Sequence, residues 1–345
     1  MHADGFAFAS FLERCLPTIE AGIRDRLPRT YTMDESDDLD TYLYGPLERF
    51  VFAGGKRIRP ALCILGAEAV GASGSVALSP AYAVEIFQAA ALIHDDIADK
   101  SELRRGEPCL HKAEGTGIAI NVGDVAVVDV AASVMQDATL SPSLRLRLFD
   151  ELYAMERLTL EGQALDLGWA RDGRWDLSED DYLTMAHLKT AHYSCAIPLA
   201  MGALCGEGTD EQVEGLRSFG LSCGLAFQIQ DDLLNLVGDA EAQGKDYRSD
   251  VTEGKRTLVM VRALSQLNRE DSHELETILS SHTTDAKQLD RAVALAQKSG
   301  AIDYAHEYAQ SLIRTAKDEL SSVSCTSTAC ETLFSMADFF VSRAS

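Results

Sequence analysis

Apolar residues recur at spacings of three and four along almost the whole chain of 345 residues, and alternating runs bounded by hairpin turns do not. This constrains the fold more than any other feature, because a 3.6-residue period does not line one face of a strand. Tyr82, Ile86, Ala89, Ala90 and Ile93 share one such stripe, and Leu144, Leu148, Leu152 and Met155 another. Pro60, Pro80 and Pro142 stand near expected helix starts, and Ser178 followed by Asp181 reads as an N-terminal cap. Breaks are expected at the acidic stretch 34–40, at 71–75, at 101–108, at 171–176 and at the polar stretch 238–256. The expectation is an all-α fold of about a dozen helices, each roughly 12–25 residues long, packed antiparallel through short loops. No composition shift, low-complexity block or fixed-period repeat divides the chain, so residues 1–345 are read as a single domain.

Composition narrows the function. Lys+Arg number 31 against 54 Asp+Glu, a net charge of −23, which excludes a nucleic-acid partner and electrostatic docking on anionic lipid. An anionic ligand would need a locally basic site or a metal. The eight cysteines show neither C-x-x-C nor zinc-finger spacing and read as small buried residues in a reducing compartment. The N-terminus lacks a basic segment followed by an apolar one, and no charge-free apolar stretch reaches about 18 residues. A cytoplasmic protein without a membrane anchor is expected.

Four segments carry charge in patterns that suit chemistry. In LIHDDIADKSELRRGEP, 92–108, Asp95 and Asp99 stand four apart, so on a helix they share a face while Asp96 points aside. Such a pair suits Mg²⁺, which takes one or two carboxylates plus phosphate oxygens. Arg104 and Arg105 follow and suit a phosphorylated substrate; a solvated acidic helix end before a basic turn is the alternative. In FQIQDDLLNLVGD, 227–239, Asp231 and Asn235 are again four apart, with Asp232 adjacent and Gln228 one turn earlier. Apolar flanks imply burial, which is costly for carboxylates unless they are paired or bind metal. In AGGKRIRPAL, 53–62, Gly54 and Gly55 permit a tight turn, and Lys56, Arg57 and Arg59 gather positive charge at a helix start. It lacks the spaced glycine and the Ser/Thr of a Walker A loop. In GKDYRSDVTEGKRTL, 244–258, Lys245, Lys255 and Arg256 flank Asp246 and Asp250, as a polar flap over a metal–phosphate cluster or as a solvated loop.

In this order, over roughly residues 45–260, the segments resemble the trans-isoprenyl diphosphate synthases, or polyprenyl synthetase family. GGKRIRP is similar to the family's isopentenyl-diphosphate loop, DDIAD with RR to its first aspartate-rich motif, and DDLLN to its second. The conjunction is specific; each piece alone is not. The resemblance implies an all-α bundle of the isoprenoid synthase type around a central cavity. It implies a Mg²⁺-dependent, chain-elongating prenyltransferase, geranylgeranyl diphosphate synthase-like, working as a homodimer. Lys56, Arg59, Gln88 and Arg105 would hold isopentenyl diphosphate. Asp95, Asp99 and Asp231 would hold about three Mg²⁺ ions per site. Arg104, Lys189, Lys245 and Lys255 would contact the allylic diphosphate. Lys189–Thr190, in HLKTAHYS, would sit near the developing cation with Gln228 in support, and Gln163 matches a recurrent Gly-Gln element.

Two positions depart from the commonest pattern. Gln88 stands where many members have His, and Asn235 replaces the last Asp of the second motif; an amide oxygen can still ligate a hard cation, without charge. In this family the tail grows down a tunnel below the first aspartate motif. Ala91 and Ala90 leave that tunnel open, and Phe87, one turn deeper, is a candidate floor, with an ordinary core position as the alternative. A helical turn of about 5.4 Å is close to one isoprene unit, so a product of roughly twenty to twenty-five carbons is expected.

Other readings fit less. A terpene cyclase would need no isopentenyl site, against GGKRIRP and Arg105. A non-catalytic partner subunit could lose the acidic motifs that this chain keeps. A phosphohydrolase built on His94–Asp95 would need further inward histidines, and His187 and His192 share a face poorly. His111 and His187 read as hydrogen-bonded structural residues, Trp169 and Trp175 as local packing, and the helices beyond 260 as carrying no site.

Overall fold

The computed structural model describes residues 6–27, 36–238 and 248–342. In chain order the first helices are α1 (Phe6–Arg26), α2 (Ser36–Leu39), α3 (Gly45–Phe52), α4 (Ile58–Ala69), α5 (Leu78–Ala98), α6 (Leu110–Ala113) and α7 (Thr116–Met135). Then come α8 (Pro142–Arg171), α9 (Glu179–Ala186), α10 (Ile197–Cys205), α11 (Asp210–Val237) and α12 (Ser249–Thr252). The last are α13 (Leu258–Gln266), α14 (Arg269–Ser280), α15 (Ala286–Lys298), α16 (Ala301–Leu320) and α17 (Ser327–Ser342). Two segments, Asp40–Tyr44 and His187–Ala196, are π-helical. The all-α expectation holds: the one sheet among the described residues is a ribbon of β1 (Leu103–Arg104) and β2 (Glu107–Pro108), paired antiparallel.

Local signals explain several boundaries. Pro142 opens α8, and Pro60 and Pro80 are each the third residue of their helices. Ser178 and Asp181 form a reciprocal capping box at the start of α9. Helix lengths run wider than expected, from four residues in α2 to 30 in α8. The stretch 34–40, expected as a loop, is helical from Ser36 onward, with Asp37 and Asp38 in the first turn, where the helix dipole favours negative charge. Likewise α12 lies within 238–256, expected as a break.

Contacts group the chain into two compact units. The first comprises Met1–Glu156, Ile197–Arg217 and Val323–Ser335. Here α5 packs along α7, and α4 packs against α5 and α10. The stripe Tyr82, Ile86, Ala89, Ala90 and Ile93 on α5 is buried throughout. The second unit comprises Arg157–Ala196, Ser218–Ser322 and Met336–Ser345. In it α13 packs on α9 and α16. Glu179 at the start of α9 accepts from Arg262 at 2.7 Å and from Tyr304 at 2.6 Å. All eight cysteines are free; six are buried and two half-buried.

Among the described residues, two helical stretches combine length with high mean hydropathy, although charged residues interrupt each. The stretch Gly74–Ala98 and α7 are long and apolar enough to cross a membrane, with mean hydropathies of 1.5 and 1.8. The first is mostly buried within its unit, whereas α7 leaves much of its surface exposed.

Candidate active site

In the first unit the sequence motifs meet through arginine. Gly54 and Gly55, between α3 and α4, have φ of 107° and 130°, a region closed to most side chains. Arg57 follows in the left-handed region and turns inward. Its guanidinium donates to Glu85 Oε1 on α5 at 2.5 Å and to the Val51 carbonyl at 2.7 Å, and both charged partners are buried. This pair pins the loop to α5, with Lys56 exposed and Arg59 half-buried in the first turn of α4.

The β1–β2 ribbon returns the second arginine pair. Arg105 and Gly106 both have positive φ, as a tight primed hairpin turn requires. The Arg105 guanidinium lies on Gly55: a Cβ there would stand 3.1 Å from Nη2. Burial pushes the pKa of Arg105 down, and Arg57, Arg104 and Arg59 push it further, against an opposing pull from Glu85. A bound anion would relieve that repulsion. Gln88 lies three residues after Glu85 on α5 and is half-buried.

The end of α5 divides its three carboxylates. Asp96 is buried and accepts from Arg104 Nε at 2.9 Å and also from Nη2; its other oxygen has no hydrogen-bond partner. Burial opposes the charge of Arg104, but its bond to Asp96 and the charges of Asp96 and Asp95 outweigh that and raise its pKa. Asp95 and Asp99 are half-buried one turn apart, the Asp99 N–H donating to the Asp95 carbonyl at 2.8 Å. No three His, Cys, Asp or Glu side chains among the described residues could enclose a metal by themselves. Two oxygen donors on successive turns fit a hard cation that brings phosphate and water oxygens of its own, as Mg²⁺ does, and not a protein-only cage. Deeper on α5, Phe87 and Ala90 are buried and Ala91 is half-buried.

In the second unit the His187–Ala196 segment lies backbone to backbone against its neighbours. A Cβ on Gly162 of α8 would stand 2.2 Å from the Lys189 nitrogen, and one on Gly224 of α11 would stand 2.8 Å from the Ala191 Cα. Lys189 is half-buried and donates to Asp166 at 2.6 Å; Gln163 precedes Asp166 by one turn. Thr190 Oγ1 donates to Gln228 Oε1 at 2.8 Å. Gln228 Nε2 donates to Asp232 Oδ1, and the Tyr182 hydroxyl to Asp232 Oδ2, both at 2.7 Å. Burial pushes the Asp232 carboxyl well above the usual carboxylate range; Asp250 and Asp231 add to this, and the two hydrogen bonds oppose it. Asp231 itself is half-buried.

Several expectations need correction. Asn235 uses its amide as a tether: Nδ2 donates to Ser249 Oγ at 2.9 Å and Oδ1 accepts from the Asp250 N–H at 3.1 Å, so both ends of the side chain hold α12. Arg256 is buried rather than part of a polar flap, its guanidinium 3.9 Å from the centre of the Trp175 ring. Trp175 packs beyond its own loop, its Nε1 donating to Ser280 at 2.9 Å. His111 Nδ1 is buried without a hydrogen-bond partner, and burial lowers the pKa of His187. Lys255 pairs with Glu253 at 3.0 Å. Lys245 and Asp246 lie outside the described residues. Glu85, Asp166 and Tyr182 were missed from sequence; only Glu85 left a signal, as a charge on the apolar stripe between Tyr82 and Ala89.

Comparison with known proteins agrees with this geometry. The polyprenyl synthetase family model matches residues 40–296. A short chain isoprenyl diphosphate synthase of Methanothermobacter thermautotrophicus is 38% identical over 296 residues, covering 86% of this chain and 89% of that one. A geranylfarnesyl diphosphate synthase of Natronomonas pharaonis is 34% identical over 317 residues, covering 87% and 90%. The crystal structure of a geranylgeranyl pyrophosphate synthase from Corynebacterium glutamicum, complexed with isoprenyl diphosphate and magnesium, matches with a TM-score of 0.84 at 27% identity, covering 99% and 100%. The class these matches define is the all-α prenyltransferases of isoprenoid biosynthesis. The chain belongs to the polyprenyl synthetase family.

Proposed function

We propose that the protein condenses isopentenyl diphosphate with dimethylallyl, geranyl or farnesyl diphosphate in a Mg²⁺-dependent reaction. The products are diphosphate and a trans-polyprenyl diphosphate of roughly twenty to twenty-five carbons. The observation that carries this reading is the approach of Arg105 to Gly55, which joins the basic loop to the arginine pair that follows Asp95 and Asp99. Relatives that make geranylfarnesyl diphosphate, and one bound to magnesium and isoprenyl diphosphate, support product class and metal.

Lys56, Arg59, Gln88 and Arg105 hold isopentenyl diphosphate on this reading, and Arg104, Lys189, Lys245 and Lys255 contact the allylic diphosphate. Asp95, Asp99 and Asp231 hold the metal, which when bound neutralises the leaving diphosphate. The allylic C–O bond breaks and its electron pair leaves with diphosphate. The π pair of isopentenyl diphosphate forms the new C–C bond, and the proton lost from its C2 passes to the released diphosphate. The protein's own share is charge stabilisation and alignment of two anionic substrates. Phe87 is the floor of the product tunnel and Ala90 and Ala91 leave it open. The assay is mass identification of the dephosphorylated products; Phe87→Ala should lengthen them, and an unchanged distribution would remove Phe87 from this role.

The whole chain acts as one isoprenyl diphosphate synthase domain in the cytoplasm, as a homodimer. The support for a dimer is exposed apolar surface on α7, at Ile120, Val127 and Val128, and on the first half of α8, at Leu146, Phe149 and Tyr153. Sedimentation of Val128→Glu should give a monomer; an unchanged mass would move the interface elsewhere.

A further inference from the structure

Four side chains in the second unit form one hydrogen-bonded line: Tyr182 to Asp232, Gln228 to Asp232, and Thr190 to Gln228, at 2.7, 2.7 and 2.8 Å. Its far end, Tyr182 on α9, is among the most completely buried large side chains of the protein. Its near end is the Lys189–Thr190 pair of the π-helical segment. The direction of each bond is set by chemistry. Gln228 turns its Nε2 toward Asp232 Oδ1, which accepts from it, while Tyr182 occupies Oδ2 and keeps that second oxygen away from the amide. The Gln228 carbonyl oxygen is then left for Thr190, and the Thr190 hydroxyl must donate its single proton to that oxygen. The free positions on Thr190 Oγ1 and Gln228 Oε1 are therefore lone pairs. A reversed amide would present N–H groups instead, and a cation forming nearby would meet the wrong end of the dipole.

We propose that Tyr182 is a positioning residue for prenyl transfer: by holding Asp232 it fixes the amide of Gln228, so that Thr190 and Gln228 meet the forming allylic cation with oxygen lone pairs. This rests on the function proposed above. Tyr182 touches neither substrate on this view, and its hydroxyl acts only through the line. Removing that hydroxyl releases Asp232 Oδ2, lets the carboxyl rotate, and allows the Gln228 amide to sample both orientations.

The test is a double-mutant cycle on the full chain with isopentenyl and farnesyl diphosphates and Mg²⁺. Turnover by the unaltered protein is measured first; its absence would overturn the function itself, independently of Tyr182. Given turnover, Tyr182→Phe should lower kcat about tenfold or more while the KM of each substrate stays within about threefold. In a Gln228→Ala background the same change should cost almost nothing further, because Tyr182 acts through that amide. An unchanged kcat in Tyr182→Phe, a loss confined to KM, or losses that multiply in the double variant would each overturn the proposal. Where Tyr182→Phe does not fold, Asp232→Asn replaces it in the cycle, since its amide cannot accept from both Tyr182 and Gln228. The expected non-additivity is the same, and losses that multiply, with a raised Mg²⁺ requirement, would contradict it.

Discussion

The Arg105 guanidinium lies against Gly55 so closely that a Cβ on that glycine would stand 3.1 Å from Nη2 and 3.3 Å from Cζ. Gly55 also has a φ of 130°, so a side chain there would strain the backbone as well as displace the arginine. Gly55→Ala should raise the KM for isopentenyl diphosphate about tenfold, which corresponds to about 1.4 kcal/mol of binding, and leave the allylic KM within about twofold. Steady-state kinetics with one substrate varied at a time separate the two. A rise confined to the allylic KM would reverse the assignment of the basic loop.

Glu85→Ala would leave the Arg57 guanidinium buried without its partner. Removing one member of a buried pair costs about 3–5 kcal/mol, and replacing both members with apolar residues often does not. Denaturant unfolding should therefore show a large loss for Glu85→Ala and substantial recovery in Arg57→Met/Glu85→Leu. The double variant should still bind isopentenyl diphosphate poorly, because the loop that carries Lys56 and Arg59 has then lost its ion pair to α5. Full binding in that variant would show that the loop needs no anchor.

Asn235 ties α12 to α11 through both ends of its amide. Asn235→Leu should speed hydrogen exchange at the Asp250 N–H about tenfold or more, because it removes the Oδ1 that accepts from that N–H. Asn235→Asp keeps an acceptor for the same N–H and should leave exchange within about threefold of the parent. Equal acceleration in both variants would mean that the amide nitrogen, and not the oxygen, holds the segment.

Glu156 on α8 is half-buried, and burial pushes its carboxyl from an ordinary 4.5 to about 7. The folded chain keeps this proton to about pH 7, whereas the unfolded chain releases it near 4.5. Stability therefore falls as pH rises through that window. Glu156→Gln removes the cost of ionisation. Its melting temperature should exceed the parent's by about 1–3 °C at pH 8 and match it at pH 4.5. An equal gain at both pH values would trace the effect to packing instead.

Legibility in the sequence followed the range of the interactions. The capping box of Ser178 and Asp181, the proline starts and the buried stripe on α5 depend on residues within one or two turns, so periodicity and spacing revealed them. The two-residue ribbon that presents Arg105 depends on positive φ at a non-glycine residue, which sequence does not announce. The partners of Arg57, Lys189 and Thr190 lie 28, 23 and 38 residues away, and no local pattern encodes them. The π-helical geometry of His187–Ala196 is equally hidden, since no proline or glycine interrupts that segment. Asn235 was legible as a departure from the acidic pattern, but its role as a tether required the position of Ser249 and Asp250.

Mg²⁺-dependent chain elongation is read out by a product assay on the purified chain. Isopentenyl diphosphate is supplied with dimethylallyl, geranyl or farnesyl diphosphate, with Mg²⁺ or with EDTA, and the dephosphorylated alcohols are identified by mass. The expected result is a Mg²⁺-dependent ladder that ends at roughly twenty to twenty-five carbons and disappears in EDTA. Cyclic hydrocarbon formed from an allylic diphosphate alone, or no turnover of any primer by the folded protein, would contradict it.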